Sequence, residues 1–338
     1  MIFKTIKPNY RTLAIMGILL VAACFFPLFS TSNYLISVGV TIFTYTALGT
    51  AWNIISGYAG QSCWCLASFM AIGSYTTFIL ANNFGISPWI SLIPGMLLSV
   101  LLSLAVGAIC FKQRGMGFTL TTVAMAEIIR VVLVYFSDLT GGTSGLYMTY
   151  RENSLWKLTL KSNVGFFYIM LVICVIAIVI SYFVEKSRLG YYLRAIGADQ
   201  DAAESLGINP YATKMKAFMI SAALASAIGT FYACFLAYID PNAISSLAIS
   251  TKIGSMAIVG GLGHLFGPLI GAVILIPVQE IANSLLGSSG SGVLLYGLVL
   301  VGMIVLKPGG VISFFQKDEN AAQKNRIWRK GKKHGTHS

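Results

Sequence analysis

Long apolar runs alternate with short polar breaks along this chain, and the runs have the length of membrane-spanning helices. Between residues 12 and 111 there is no Asp, Glu, Lys, Arg or His. A span takes about 20 apolar residues, so that stretch alone holds about four. The pattern predicts spans near 13–30, 34–56, 63–82, 88–111, 116–136, 165–184, 217–239, 266–287 and 291–306. The first follows basic residues, as a signal peptide would. "FFPLFSTSN" offers no small-x-small cleavage site, so it reads as an uncleaved span.

Composition agrees: 56% of residues are hydrophobic and 10% charged, which no water-exposed globular surface accommodates. The fold class expected is an all-α polytopic membrane protein. The net charge of +12 does not point to nucleic acid, because the basic residues cluster where cytoplasmic loops would fall. They include Lys4, Lys7, Arg11, Lys112, Arg114 and a group in 185–216. With the N-terminus inside, four spans return the chain to the cytoplasm at 112–114, and two more place 185–216 inside. Bringing the basic tail inside as well needs an odd number of further crossings after Asp240. "IGSMAIVGGLG" (253–263) is therefore read as a short, glycine-broken crossing, for about ten in all. A re-entrant hairpin there would leave the tail outside. Residues 1–316 form the membrane domain and 317–338 a basic, membrane-proximal tail expected to be disordered.

Polar chemistry concentrates in "RAIGADQDAAESLGINP" (194–210). Asp199 is placed to cap a helix running through Asp201, Ala202, Ala203, Glu204 and Leu206. Gly207 follows as its left-handed stop, and Pro210 forbids continuation. So short a helix is unstable alone in water. Ala202, Ala203 and Leu206 are expected to form a small apolar face. That face suits docking into a groove of a soluble partner, although a loop helix that merely connects two spans fits the same residues.

Gly263, Gly267 and Gly271 recur at every fourth position with Pro268 among them, a bare ridge if all three are helical. Gly260 and Gly261 precede them and are expected to break the helix beside the transport pathway, with helix packing as the plainer reading. Glu127 and Arg130 share a helix face inside one span and can pair, while Glu280 is a third intramembrane charge. These serve a proton relay or, more simply, an inter-helix contact. "LTGGTSGL" lies outside, where Gly141, Gly142 and Gly145 shape either the mouth that meets a delivery protein or an ordinary turn. The six cysteines read as packing residues, and the lone His264 has no second ligand in view, so no metal is assigned. No G-x-x-x-x-G-K-[ST] loop occurs.

D-A-A-x-x-x-G (201–207) resembles the E-A-A-x-x-x-G loop of ABC importer permeases that seats on the ATP-binding subunit. More specifically, the chain resembles branched-chain amino acid permeases of the LivM type. The likeness runs in order through "GMGFTLTTVAMAEIIRVV" (115–132), "LTGGTSGL" (139–146), 187–225, "VGGLGHLFGPLIGAV" (259–273) and "LYGLVLVGMIVLKPGGVI" (295–312). It implies a transmembrane subunit of a bacterial inner-membrane importer for Leu, Ile and Val, with both termini cytoplasmic. A periplasmic or lipid-anchored binding protein would deliver substrate between this chain and a LivH-type second permease. Two cytoplasmic subunits would bind the ATP, leaving this chain without a cofactor and without enzymatic activity. Asp199, Asp201, Ala202, Ala203, Glu204, Leu206 and Gly207 would then couple the ATPase to the spans. Gly57, Gly60, Gly260, Gly261, Gly263, Gly267, Pro268 and Gly271 would lie along the pathway or its hinges. The departure is in 57–76, where Cys65 and Leu66 stand at positions the family fills with Gly and His. That keeps urea or short amides open as substrates. A proton-coupled secondary transporter using Glu127, Arg130 and Glu280 is the alternative from another class.

Overall fold

Two of the longest helices begin where the sequence puts a proline behind a capping side chain. Ser87 Oγ accepts from the Trp89 amide ahead of Pro88, and Asn209 Oδ1 accepts from the Ala212 amide ahead of Pro210. The computed structural model describes residues 27, 32–149, 156–159, 162–286, 289–306 and 309–312. The expected first span (13–30, but for residue 27) and the tail (317–338) lie outside them.

In chain order the helices are α1 (Asn33–Trp52), continued by a π-helical turn (Asn53–Gly57), α2 (Leu66–Phe84), α3 (Pro88–Cys110) and α4 (Met116–Tyr135). Then come α5 (Asn163–Lys186), α6 (Arg188–Ala198), α7 (Gln200–Ser205), α8 (Pro210–Leu236), α9 (Leu247–Gly260), α10 (Gly267–Leu286) and α11 (Ser289–Leu306). Among the described residues, seven segments are long and apolar enough to cross a membrane: Asn33–Gly57, α3, α4, α5, α8, Pro241–Gly260 and Gly267–Ser284. The molecule is an all-α, multi-pass membrane protein.

Small residues let the central helices approach closely. A Cβ on Gly73 would meet the Ser226 carbonyl oxygen at 2.1 Å, and one on Gly229 the Met70 oxygen at 2.2 Å. Hydroxyls bridge the same seam: Ser74 donates to the Gly229 carbonyl at 2.9 Å and Ser221 to that of Ala51 at 2.8 Å. Connections gather at two ends. One holds 58–65, 111–115, 187–209 and 261–266, tied by Arg114–Asp201 and Asn53–Gly263. At the other, Leu146–Tyr147 pairs antiparallel with Tyr238–Ile239, and Asn82 donates to the Tyr147 carbonyl.

Several predicted boundaries move, among them that of the span drawn from 217, which begins at Pro210. The span drawn from 63 begins at Leu66, because 60–65 is irregular chain anchored by Trp52 Nε1 to the Cys63 carbonyl (2.5 Å) and the Cys63 amide to Ser56 Oγ (3.1 Å). The crossing drawn at 253–263 instead runs from Pro241 to Gly260. Ser250, Thr251 and Lys252 hide its first half from a hydropathy reading. The helix tolerates Lys252 because its ammonium lies 4.5 Å from the centre of the Tyr45 ring. Gly263 falls in the loop between α9 and α10, so only Gly267 and Gly271 of the expected ridge are helical.

Candidate functional site

The loop expected at 185–216 is narrower, since α5 runs to Lys186 and α8 starts at Pro210, and residues 188–205 fold as two helices in tandem. Asp199 Oδ1 accepts from the amides of Asp201 (2.9 Å) and Ala202 (3.0 Å), which caps α7. The helix ends as its composition demands. Gly207 has φ +82°, a conformation glycine adopts without strain, and the Ile208 amide returns to the Ala203 carbonyl at 3.1 Å. Arg114, from the loop before α4, reaches Asp201 at 2.6 Å and Glu204 at 3.5 Å. The hydrogen bond it donates to Asp201 raises the Arg114 guanidinium further above its usual range. Lys214 Nζ donates to Gln200 Oε1 at 2.6 Å. These contacts hold a helix too short to persist alone.

The expected apolar face of α7 divides. Ala203 is 2% exposed and faces the protein, whereas Leu206 is 81% exposed and Ala202 also faces outward. Two clefts flank residues 207–209. One, of about 450 Å³, is lined by Phe111, Lys112, Arg114, Glu204, Tyr211 and Lys214 among others. The second, of about 410 Å³, includes Arg188, Tyr192, Ala212 and Lys216. The outward surface thus carries an exposed leucine next in sequence to the residues shared by two clefts lined partly by basic side chains.

A continuous path leads from this surface into the bundle. Arg194 on α6 pairs with Glu185 at 2.5 Å and lies 5.3 Å from the centre of the Tyr58 ring. Burial, then the Glu185 charge, pushes the Tyr58 phenol up. Gly197 packs against the 58–60 turn so closely that a Cβ there would lie 2.7 Å from the Tyr58 carbonyl oxygen; Gly60 abuts Gly197 from the other side. Asn53, in the π-helical turn, accepts from the Gly263 amide and donates to the His264 carbonyl, both at 3.0 Å. A Cβ on Gly57 would sit 1.8 Å from Asn53 Oδ1 and break that bridge. Burial lowers the His264 imidazole.

Beyond the bridge, α9 ends at Gly260 and the chain reverses through Gly261. Gly260 lies against the Gly267 carbonyl, Gly271 against that of Met256, and Pro268 against Gly49. At the opposite end, Gly141, Gly142 and Gly145 form a tight double turn that delivers Leu146 and Tyr147 to their strand partners.

The intramembrane charges are separated. Arg130 Nε donates to both Glu127 carboxylate oxygens at 3.0 Å, and Arg130 Nη1 donates to Asn242 Oδ1. Glu280 accepts from Tyr34 at 3.1 Å. Sequence reading missed Asn53, Arg114 as a brace, Asn242 and Lys252. Only Lys252 carried a signal, as a single cation within an apolar stretch.

These features define the class: a multi-pass helical membrane protein with a short polar helix braced at one end. The chain belongs to the family of permease components of branched-chain amino acid transport systems, whose model matches residues 34–306. That is a family of transport permease components, not of enzymes. The chain is 26% identical over 318 residues to the high-affinity branched-chain amino acid transport system permease protein LivM of Escherichia coli K12, covering 87% of this chain and 73% of that one. It is 24% identical over 288 residues to the LivH permease protein of the same organism, covering 80% and 92%. It is also 25% identical over 256 residues to a probable LivH permease of Methanocaldococcus jannaschii, covering 72% and 80%. No solved structure matches the chain.

Proposed function

We propose that this chain is the LivM-type half of an importer that moves leucine, isoleucine and valine across a bacterial inner membrane. A LivH-type permease completes the pathway, a periplasmic or lipid-anchored binding protein supplies substrate, and two cytoplasmic subunits bind and hydrolyse ATP. An α-amino acid cannot cross hydrocarbon unaided, because both of its charges would lose water. The chain makes ten crossings, and the end bearing Arg114 faces the cytoplasm, since it collects Arg114, Arg188, Arg194 and Lys216.

The observation that carries this reading is the seating of α7. Its inner residue Ala203 is buried and its outer residues Ala202 and Leu206 are free, while Gly197 and Asn53 link its base to the α9–α10 loop. A helix held in this way passes a push from a docked ATPase into the spans. Glu127 is paired and Glu280 is bonded to Tyr34, so neither is arranged as a relay.

The test is purification of the tagged chain in mild detergent, followed by leucine uptake in liposomes. Recovery of a nucleotide-binding subunit and a second permease, with uptake that needs ATP, is the expected result. A chain that purifies alone and moves leucine without ATP overturns the reading. Urea that competes with leucine transport would reassign the substrate.

A further inference from the structure

The outward faces of the peripheral helices differ in kind. On α3 the exposed side chains include Trp89, Ile93, Leu97 and Leu101, and on α5 Val172, Ile176 and Val179, all suited to lipid tails. Helix α4 presents Leu120, Ile128 and Val131 in the same way, yet the same face carries Glu127, twelfth of its 20 residues. Its side chain is 54% exposed and that of Arg130 27%. Beside them lies the exposed Asn242, at the start of the Pro241–Gly260 crossing. Ionised groups at mid-span avoid lipid and face a protein interior or a watered path. This polar strip across two elements therefore marks the side of the bundle turned toward the pathway.

The hydrogen bonding leaves the pair incomplete in a specific way. A guanidinium has five N–H donors. Glu127 takes those of Nε and one on Nη2, and Asn242 takes one on Nη1. Among the described residues, one N–H on each of Nη1 and Nη2 is left to donate to a further acceptor such as a carboxylate. Glu127 retains lone pairs on a half-exposed carboxylate beside it. A cationic donor and an anionic acceptor thus stand next to each other on one helix face, with Ile128 and Val131 alongside.

We propose that Glu127 and Arg130 form a zwitterion-recognition site on the transport path, Arg130 receiving the α-carboxylate of the substrate and Glu127 its α-ammonium. Asn242 positions the guanidinium, and Ile128 and Val131 meet the aliphatic side chain. This rests on the reading of the chain as an amino acid permease. It assigns that substrate to two charges that would otherwise only satisfy each other.

The experiment uses the assembled importer in liposomes, with Arg130→Cys labelled by water-soluble methanethiosulfonates. The five described native cysteines are buried, and the wild-type complex is the labelling control. The variant is expected to lose leucine uptake at least tenfold while its complex still hydrolyses ATP. The ethylammonium reagent, which restores a cation, is expected to recover uptake several-fold, and the sulfonate reagent to recover none. Saturating leucine should slow labelling. Failure of either reagent to label, equal recovery with both, or no recovery after complete labelling with the cation each overturns the site. Should Arg130→Cys fail to assemble, Arg130→Lys is measured instead. A several-fold rise in KM for leucine at unchanged kcat supports the site, and an unchanged KM overturns it. A wild-type complex that does not import leucine sinks the functional reading, and this proposal with it. Wild-type uptake with an unaffected variant sinks this proposal alone.

Discussion

Arg114 and Asp201 meet at 2.6 Å although 87 residues separate them in sequence. The contact joins the loop before α4 to the first turn of α7. With the Lys214–Gln200 hydrogen bond, it ties the polar helix to chain beyond its own loop.

Both partners are solvent-exposed, so the ion pair adds little to the stability of the fold. Arg114→Ala should therefore leave the melting temperature of the purified complex within a few degrees of wild type. Uptake should fall several-fold, since α7 then rocks without moving α4. A variant with normal uptake would show that the brace does not transmit motion.

Leu206→Glu should abolish recovery of the ATP-binding subunits without affecting membrane insertion, because Leu206 projects outward and touches little of its own chain. Ala203→Glu should act differently. Its side chain has no room, so a carboxylate there must unseat α7 itself, lowering protease resistance of the 187–209 loop. Identical outcomes for the two variants would contradict the division of the helix into inner and outer residues.

Asn53→Ala removes two hydrogen bonds that hold the α9–α10 loop, at a cost of about 0.5–1.5 kcal/mol each. Uptake per ATP hydrolysed is expected to drop, because the path from α6 to Gly263 passes through this side chain. Measuring transport and hydrolysis in the same liposomes checks it; an unchanged ratio excludes Asn53 from the linkage.

Gly271→Leu should destabilise the bundle by about 1–3 kcal/mol or more. A Cβ there would meet the Met256 carbonyl oxygen at 1.9 Å, so α9 and α10 must part before any larger side chain fits. Thermal unfolding in detergent, followed by tryptophan fluorescence, should show a fall of several degrees. Gly297→Leu is the control, since nothing lies within 4 Å of a Cβ at that position.

Much of this molecule was legible from spacing alone. Apolar runs and capping residues located most of the long helices, and Asp199, Gly207 and Pro210 bounded the polar one, because both signals act within a few residues. The errors have the same origin. Lys252 lowers local hydropathy and hid half a span, since its compensation by Tyr45 is a contact between distant helices. Ala203 and Leu206 look equivalent as apolar neighbours, and only the packing of α7 on its base turns one in and the other out.

The sequence by itself determined the class of the protein, most of its long helices and the boundaries of its polar helix, because hydrophobic length and end-capping are local and additive. Tertiary structure alone decided that Arg114 braces that helix, that Asn53 stitches the glycine-rich loop, and that Glu127 and Arg130 stand on an exposed face beside Asn242. Those relationships depend on which helices become neighbours, and small residues such as Gly73, Gly229 and Gly271 settle that by how closely they let backbones approach.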